Sequence, residues 1–192
     1  QLLWLNRFET EHDNLRAALE WCKVDDNRAE AGLRLATACG SFWHWHSYVS
    51  EGRTYLTTAL SHTGARKRNA TRAWALIRVG VLAYLQSDYP ACRSHLEESL
   101  AISQELGEAG KLIAANALDM LAQKHTEEGS YDSASPLFEK AMVIYRELKD
   151  KWGIGEILMQ FGWAAMRIGD YDEAQARLEE FLALGRETGY TT

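Results

Sequence analysis

The chain has 192 residues, 46% hydrophobic and 25% charged, with 21 basic against 27 acidic side chains and a formal net charge of −6. This acidic balance argues against direct binding of nucleic acid, which depends on clustered lysine and arginine. No apolar run is long enough to cross a bilayer, no signal peptide is recognisable, and three widely separated cysteines favour free thiols. A cytoplasmic protein without membrane contact is therefore predicted.

Residues 1–30 differ in pattern from the rest of the chain. They contain the segment from Trp4 to Glu9 (WLNRFE) and an amphipathic stretch from Glu11 to Trp21 (EHDNLRAALEW). By resemblance to a known type of interdomain junction, named below, these segments are expected to form a helical linker that precedes the repeats. Because the chain begins with Gln1 and not with methionine, we expect it to be a piece of a longer protein.

A tyrosine recurs through the remainder of the chain at intervals of 42 and 40 residues. A small residue lies nine positions before each tyrosine, and another lies three positions after it. A degenerate copy is centred on Tyr48, with Cys39 at the first small position. The repeat-defining residues are Gly80, Tyr89 and Cys92, then Ala122, Tyr131 and Ala134, then Gly162, Tyr171 and Ala174. Four copies in register indicate an internal repeat.

Each copy predicts two antiparallel helices joined by a tight turn. Apolar residues at helical period precede the turn and a second amphipathic helix follows it. The small residues let the two helices approach closely, and the tyrosine is expected to fill the corner of the turn. Such a pair cannot bury its apolar face alone, so pairs must stack. The predicted fold is all-α: a right-handed α-solenoid of stacked antiparallel helix pairs with a repeat of 40–42 residues, divided at residues 31–69, 70–109, 110–150 and 151–192 of one continuous domain.

This pattern resembles the tetratricopeptide repeat (TPR), whose usual length is about 34 residues. The segment from Trp4 to Trp21 resembles the junction in bacterial STAND-class signalling ATPases, which include LuxR-type transcriptional activators. In those proteins the junction leads into a C-terminal array of long TPRs. The resemblance implies a sensor region where an inducer or partner protein relieves autoinhibition. Other domains of the same chain then exchange nucleotide, oligomerise and contact DNA.

Binding is predicted on the concave side of the array, which the first helix of each pair lines. The selected positions flank the small residue of each first helix. They are Trp43 and His44; Trp74, Ile77, Val81 and Tyr84; Asn116, Asp119, Gln123 and Thr126; and Glu156, Met159, Trp163 and Arg167. Large apolar groups would hold an anchor side chain, and Asn116 would hydrogen-bond a peptide backbone, as the equivalent asparagines do in peptide-binding TPRs. The expected ligand is a protein, a peptide or a small-molecule inducer. The alternative for Trp74 and Trp163 is that they fill gaps between repeats.

The sequence offers no pattern for catalysis, for a metal or for a cofactor. The closest approach to a phosphate-binding loop, from Gly107 to Leu112, has its glycines too close together and lacks a hydroxyl after its lysine. His44 and His46 are two apart on a predicted helix, so they point in different directions and cannot both ligate one ion. The chain is therefore predicted to be a non-catalytic binding module.

Two functions stay open at this point. The linker favours the sensor region of a STAND-type transcriptional regulator, and the alternative is a free-standing TPR adaptor or signalling-peptide receptor. After Phe181 the chain runs to residues 189–192 without a polar capping helix, which predicts further repeats or self-association through this end. The basic cluster of Arg66 to Arg68 with Arg72 is interpreted as a solvated loop, with docking to an acidic or nucleic-acid surface as the alternative.

Overall fold

The computed structural model describes residues 7–188, and within that range the chain is helical, with no β-strand. The linker residues Trp4, Leu5 and Asn6, and residues 189–192 at the C-terminal end, lie outside the described residues. The chain divides into two compact units, up to Leu106 and from Gly107 onward. The three cysteines are buried free thiols, as predicted.

The first unit contains the linker helix and two helix pairs. Short 3-10 turns at Asp26–Arg28 and Thr63–Ala65 separate some of these elements. The helices are α1 (His12–Lys23), α2 (Ala29–Trp45), α3 (Val49–Ser61), α4 (Ala70–Leu85) and α5 (Tyr89–Glu105). Helix α2 pairs with α3 and α4 pairs with α5, and α4 also packs on both helices of the preceding pair.

Helix α1 is packed onto the first pair and does not extend into solvent alone. Its apolar residues Leu19 and Cys22 are buried, and a Cβ added to Gly32 of α2 would lie 2.8 Å from the Cβ atom of Cys22. The Nε2 atom of His12 lies 2.7 Å from Oε1 of Glu51 in α3. The linker helix and the first pair therefore form one packed body.

The second unit contains two further pairs, preceded by a 3-10 turn at Gly107–Gly110. The helices are α6 (Lys111–Glu127), α7 (Tyr131–Glu147), α8 (Lys151–Ile168) and α9 (Tyr171–Thr188). Helix α6 pairs with α7 and α8 pairs with α9. The two pairs share an apolar core in which the rings of Phe138 and Phe161 stack with centroids 5.2 Å apart.

The helix starts follow the capping chemistry of the sequence. The side chain of Asp88 accepts a hydrogen bond from the Ala91 amide at 3.2 Å, and Pro90 sits in the first turn of α5. Proline suits that position because the missing amide would have no helical partner there. Asn69, Asp150 and Asp170 cap α4, α8 and α9 in the same way.

The small residues face the partner helix, as the repeat predicts. A Cβ added to Gly162 would lie 2.9 Å from Cγ of Leu178 and 3.5 Å from the carbonyl oxygen of Ala174. At Gly80 the nearest atom is Cγ of Leu96, at 3.3 Å. Each first helix therefore approaches its partner more closely than a larger residue would allow.

The repeated tyrosine does not fill the corner at every turn. Tyr131 contacts Phe161 of the next pair, with ring centroids 6.4 Å apart, whereas Tyr171 is 72% exposed. The prediction that the tyrosine fills the corner of the turn is therefore wrong for Tyr171. The contact of Tyr131 explains the difference, because that ring is covered by the helix pair that follows its own turn. Tyr171 belongs to the last pair within residues 7–188.

The turns between paired helices use a left-handed residue. Gly129 and Gly169 have φ of 76° and 81°, and the equivalent Ser87 has φ of 59°. A residue with a Cβ atom in this conformation costs about 1–2 kcal/mol, which glycine avoids. Ser87 therefore holds a conformation that the turns of the two pairs in the second unit give to glycine; Ser47, in the turn of the first pair, also has a positive φ, of 61°.

Replacing Ser87 by glycine is expected to stabilise the chain by about 0.5–1 kcal/mol, the steric gain less the added entropy of the unfolded chain. The reciprocal change, Gly129→Ser, is expected to destabilise it by a similar amount. A Cβ at Gly129 would have no neighbour within 4 Å, so that variant isolates the backbone effect. Urea unfolding followed by circular dichroism measures both. Equal stability of both variants and the parent would contradict the strain at Ser87.

Candidate functional site

Each unit carries a cleft between the first helices of its two pairs. The N-terminal cleft lies between α2 and α4 and has a volume of about 370 Å³. It is lined by Arg34, Thr37, Ala38, Ala70, Thr71, Trp74 and Arg78. Two arginines, two threonines, two alanines and one indole ring therefore form this surface.

The C-terminal cleft lies between α6 and α8 and has a volume of about 250 Å³. Its lining residues are Gln123, Thr126, Glu127, Phe138, Gln160, Trp163, Ala164 and Arg167. The buried ring of Phe138 forms part of it, while Trp163 is 63% exposed. This cleft places one large aromatic surface beside two amides, a hydroxyl and charges of both signs.

Five of the predicted groove residues line these clefts. Trp74 lies in the N-terminal cleft, and Gln123, Thr126, Trp163 and Arg167 lie in the C-terminal cleft. Trp163 is too exposed to be a filler between repeats. The structure therefore brings together half of the residues that were selected on α6 and α8, but only one of those selected on α2 and α4.

The predicted exposure of Trp43, Ile77 and Asp119 is wrong. Trp43 is 1% exposed, because its ring occupies the space left by Gly52, where an added Cβ would lie 2.6 Å from the ring. Ile77 is 3% exposed in the core of the first unit. Asp119 is buried in the second unit, and its Oδ1 atom accepts a hydrogen bond of 3.0 Å from Nε2 of Gln123.

The physical reason is a rotation of the first helices about their axes. The position three before the small residue, held by Ile77 and Asp119, is turned toward the core. The position two before it, held by Thr37, Arg78 and Gln160, lines a cleft instead. Adjacent helix positions differ by about 100° in direction, so an error of one position moves a side chain off the groove. Repeated polar residues at this position are the signal that was missed.

The other selected residues lie outside the lining of both clefts. Nδ2 of Asn116 donates a hydrogen bond of 2.8 Å to the carbonyl of Leu112 in its own helix. The ring of Tyr84 lies 6.0 Å from that of Tyr89, and His44 stacks on Trp45 at 5.0 Å. Val81, Glu156 and Met159 are half-buried.

Two carboxyl groups near the C-terminal cleft are held partly out of water. Burial raises the pKa of Asp119 to about 6, an effect that the hydrogen bond from Gln123 opposes and the charge of Glu156 reinforces. Burial also raises the pKa of Glu156. Carboxylates that lose hydration without gaining a cationic partner titrate in this direction.

Two arginines of the basic cluster pair with carboxylates of α5. Arg68 pairs with Glu105 at 2.7 Å, and Arg72 pairs with Glu98 at 2.8 Å.

Between Arg7 and Thr188 there is no group of three or more histidine, cysteine, aspartate or glutamate side chains placed to hold a metal ion. None of the helices described is long and apolar enough to cross a membrane.

Comparison with known proteins matches residues 71–147 to the tetratricopeptide repeat family model. A curated relative, "Putative HTH-type transcriptional regulator Rv0890c" of Mycobacterium tuberculosis, is 28% identical over 190 residues. That alignment covers 95% of this chain and 21% of the relative. The chain thus spans about a fifth of the length of the curated relatives it matches.

Two solved structures share the fold. BtubC (BKLC) from P. vanneervenii superposes with a TM-score of 0.78 at 14% identity, covering 97% of this chain and 76% of that one. MamA superposes with a TM-score of 0.68 at 18% identity, covering 97% of both chains. The all-α arrangement of stacked helix pairs predicted from the sequence is therefore confirmed.

Proposed function

We propose that this chain, which carries a tetratricopeptide repeat domain, is the partner-binding sensor region of a larger transcriptional regulator. The observation that carries the proposal is the alignment with the mycobacterial regulator, which covers 95% of this chain and only 21% of that protein. Because the match takes in most of the chain, it is not confined to the repeats. An adaptor would need the repeats but not the linker helix.

The proposed role is non-catalytic. A STAND-type ATPase and a DNA-binding domain elsewhere in the same cytoplasmic polypeptide would carry out the chemistry and the DNA contact. A ligand moves such a switch only by binding one state of the protein more tightly than the other. The sensor region is proposed to consist of the linker at residues 1–30 and the helix pairs at residues 31–69, 70–109, 110–150 and 151–192.

The C-terminal cleft is proposed as the site for a peptide segment of the partner. The exposed indole of Trp163 offers a flat apolar surface for an anchor side chain. Gln160 and Thr126 line the same cleft, and their amide and hydroxyl groups can pair with a peptide backbone. Glu127 and Arg167 add charges of both signs at the rim.

The domain context is tested by the reading frame on both sides of residues 1–192 in the native gene. A phosphate-binding loop and a DNA-binding segment in the same frame would support the proposal. A native polypeptide without these parts would overturn it and leave the free-standing adaptor or signalling-peptide receptor as the function.

The cleft is tested by a phage-displayed library of dodecapeptides selected on the 192-residue chain. For the enriched peptides, Trp163→Ala is expected to weaken binding about tenfold or more, the loss typical of a buried aromatic anchor. The melting temperature should change little, because Trp163 is 63% exposed.

Trp152 supplies a matched control, since it lies on the same helix, is 61% exposed and does not line the cleft. Trp152→Ala is expected to leave peptide affinity unchanged. Two results would contradict the assignment of the C-terminal cleft as the peptide site. One is an equal loss of peptide affinity in Trp163→Ala and Trp152→Ala, and the other is that no peptide is enriched.

A further inference from the structure

The N-terminal cleft holds two arginines and no carboxylate in its lining. Arg34 of α2 is exposed and Arg78 of α4 is half-buried. In the part of the chain that the structure describes, neither guanidinium takes part in an ion pair or a hydrogen bond. Arg68 and Arg72 of the same unit, by contrast, each pair with a glutamate. The positive charge of this cleft is therefore uncompensated.

Arg78 is also incompletely hydrogen-bonded. Its Nε atom is buried and has no partner within residues 7–188. Burial lowers the pKa of the Arg78 guanidinium, and no neighbouring carboxylate opposes that effect. A buried cationic donor without an acceptor is unfavourable, and a charged acceptor placed against it would form a strong hydrogen bond.

The position of Arg78 depends on a glycine in the facing helix. A Cβ added to Gly40 of α2 would lie 2.7 Å from Cδ and 2.8 Å from Cγ of Arg78. The aliphatic stem of Arg78 therefore lies directly on the backbone of α2. This contact holds the stem of Arg78 against α2, and the residue lines the cleft.

Other groups at the cleft also favour an anion. Ala70 and Thr71 form the first turn of α4, a helix of 16 residues whose amino end carries a partial positive charge. His44 lies outside the lining but near enough to report on Arg78, because burial, followed by the charge of Arg78, lowers the pKa of His44. Trp74 supplies an apolar wall. A cleft with this lining suits an oxyanion attached to an apolar or planar group.

We propose that the N-terminal cleft binds the oxyanion group, carboxylate or phosphate, of a ligand whose apolar part rests on Trp74. Arg78 and Arg34 would donate to the oxyanion from their terminal guanidinium N–H groups. The proposal is independent of the peptide site in the C-terminal cleft, because the two clefts lie in different units and share no residue.

The test titrates the 192-residue chain with inorganic phosphate, with citrate and with capped hexaglutamate, using capped hexaglutamine as the neutral control. Binding is followed by the NMR signal of the Arg78 Nε–H group and by the pKa of His44. At least one anionic probe is expected to shift the Arg78 signal and to raise the pKa of His44. Tighter binding of hexaglutamate than of citrate would identify a peptide carboxylate as the source, and the reverse order would identify a small free anion.

Variants separate a built site from general charge attraction. Arg78→Gln is expected to weaken the affinity for the anionic probe about tenfold or more, because it removes one charge-assisted contact. Arg68→Gln removes the same charge from a surface pair with Glu105 and is expected to leave affinity nearly unchanged. Gly40→Ala keeps every charge but displaces the stem of Arg78, so it should also weaken binding.

Three results would overturn the proposal. The first is the absence of any shift of the Arg78 signal with all three anionic probes. The second is an equal loss of affinity in Arg78→Gln and Arg68→Gln, which would indicate non-specific attraction. The third is binding of hexaglutamine as tight as that of the tightest anionic probe. None of these results depends on the domain context of the chain or on peptide binding in the C-terminal cleft.

Discussion

Replacing Gly153 by alanine is expected to destabilise the second unit by about 2–3 kcal/mol, toward the upper end of the cost of overpacking a core. An added Cβ at this position would lie 2.2 Å from Cδ1 and 2.8 Å from Cγ of Tyr145. Tyr145 is 4% exposed, and its Cγ atom is fixed close to the backbone of α7, so the ring cannot simply swing aside. Urea unfolding of the chain, followed by circular dichroism, measures the loss.

Gly155, two residues further along the same helix, provides the matched control. A Cβ there would meet Phe181 at 3.6 Å, an ordinary packing distance. Gly155→Ala is therefore expected to stabilise the chain by about 0.5–1 kcal/mol, the gain in helix propensity of alanine over glycine. The two alanine variants should change stability in opposite directions. A change of the same sign in both would mean that α7 and α8 do not pack as described.

The second large effect concerns the buried carboxyl group of Asp119. Its pKa is raised from 3.8 to about 6, first by burial. The folded state therefore binds this proton more tightly than the unfolded state. The stability that the protonated Asp119 side chain contributes to the fold is fully present below about pH 3.8 and is lost as the pH rises through about 6. At neutral pH the ionised group destabilises the fold.

Asp119→Asn removes that ionisation while keeping an oxygen that can accept the hydrogen bond from Gln123. At pH 7.5 the variant is expected to exceed the parent in unfolding free energy by about 2–3 kcal/mol, the free energy equivalent to a shift of this size. The advantage should fall below about 1 kcal/mol at pH 4, where the folded parent is protonated and the unfolded parent is partly protonated.

Other groups titrate over the same range, but their contributions cancel in the difference between the parent and the variant. Glu139→Gln, at an exposed carboxyl group of the same unit, is expected to change stability by less than about 0.5 kcal/mol at either pH. A pH-independent difference between Asp119→Asn and the parent would show that Asp119 is not buried as a charged group at neutral pH.

Local chemistry made much of the fold predictable. The turn at Asp88 and Pro90 could be read directly, because capping and proline placement depend on neighbours in sequence. The glycines at positions 129 and 169 marked left-handed turn residues for the same reason. Spacing alone predicted that Gly162 lies against Ala174 and Leu178, because two paired helices joined by a short turn have a fixed register.

The binding surface was predicted less completely. The C-terminal cleft could be anticipated from Gln123 and Trp163, because α6 and α8 follow the repeat closely. The N-terminal cleft could not, since the degenerate first pair gave no reliable helix orientation. Trp43 illustrates the difficulty: an aromatic residue beside a small one was expected in the groove, yet its ring is buried against Gly52.

The helix pairs, their turns and their caps could be predicted from the amino-acid sequence, because they depend on interactions over a few residues. The rotation of each first helix about its axis, and the side chain that each glycine faces, depend on tertiary packing and could not be predicted in this way. The contact of Gly40 with Arg78, and the missing partner of the Arg78 guanidinium, join residues that are far apart in the chain. Such contacts follow from close packing between helices, which fixes orientation only when all neighbours are in place.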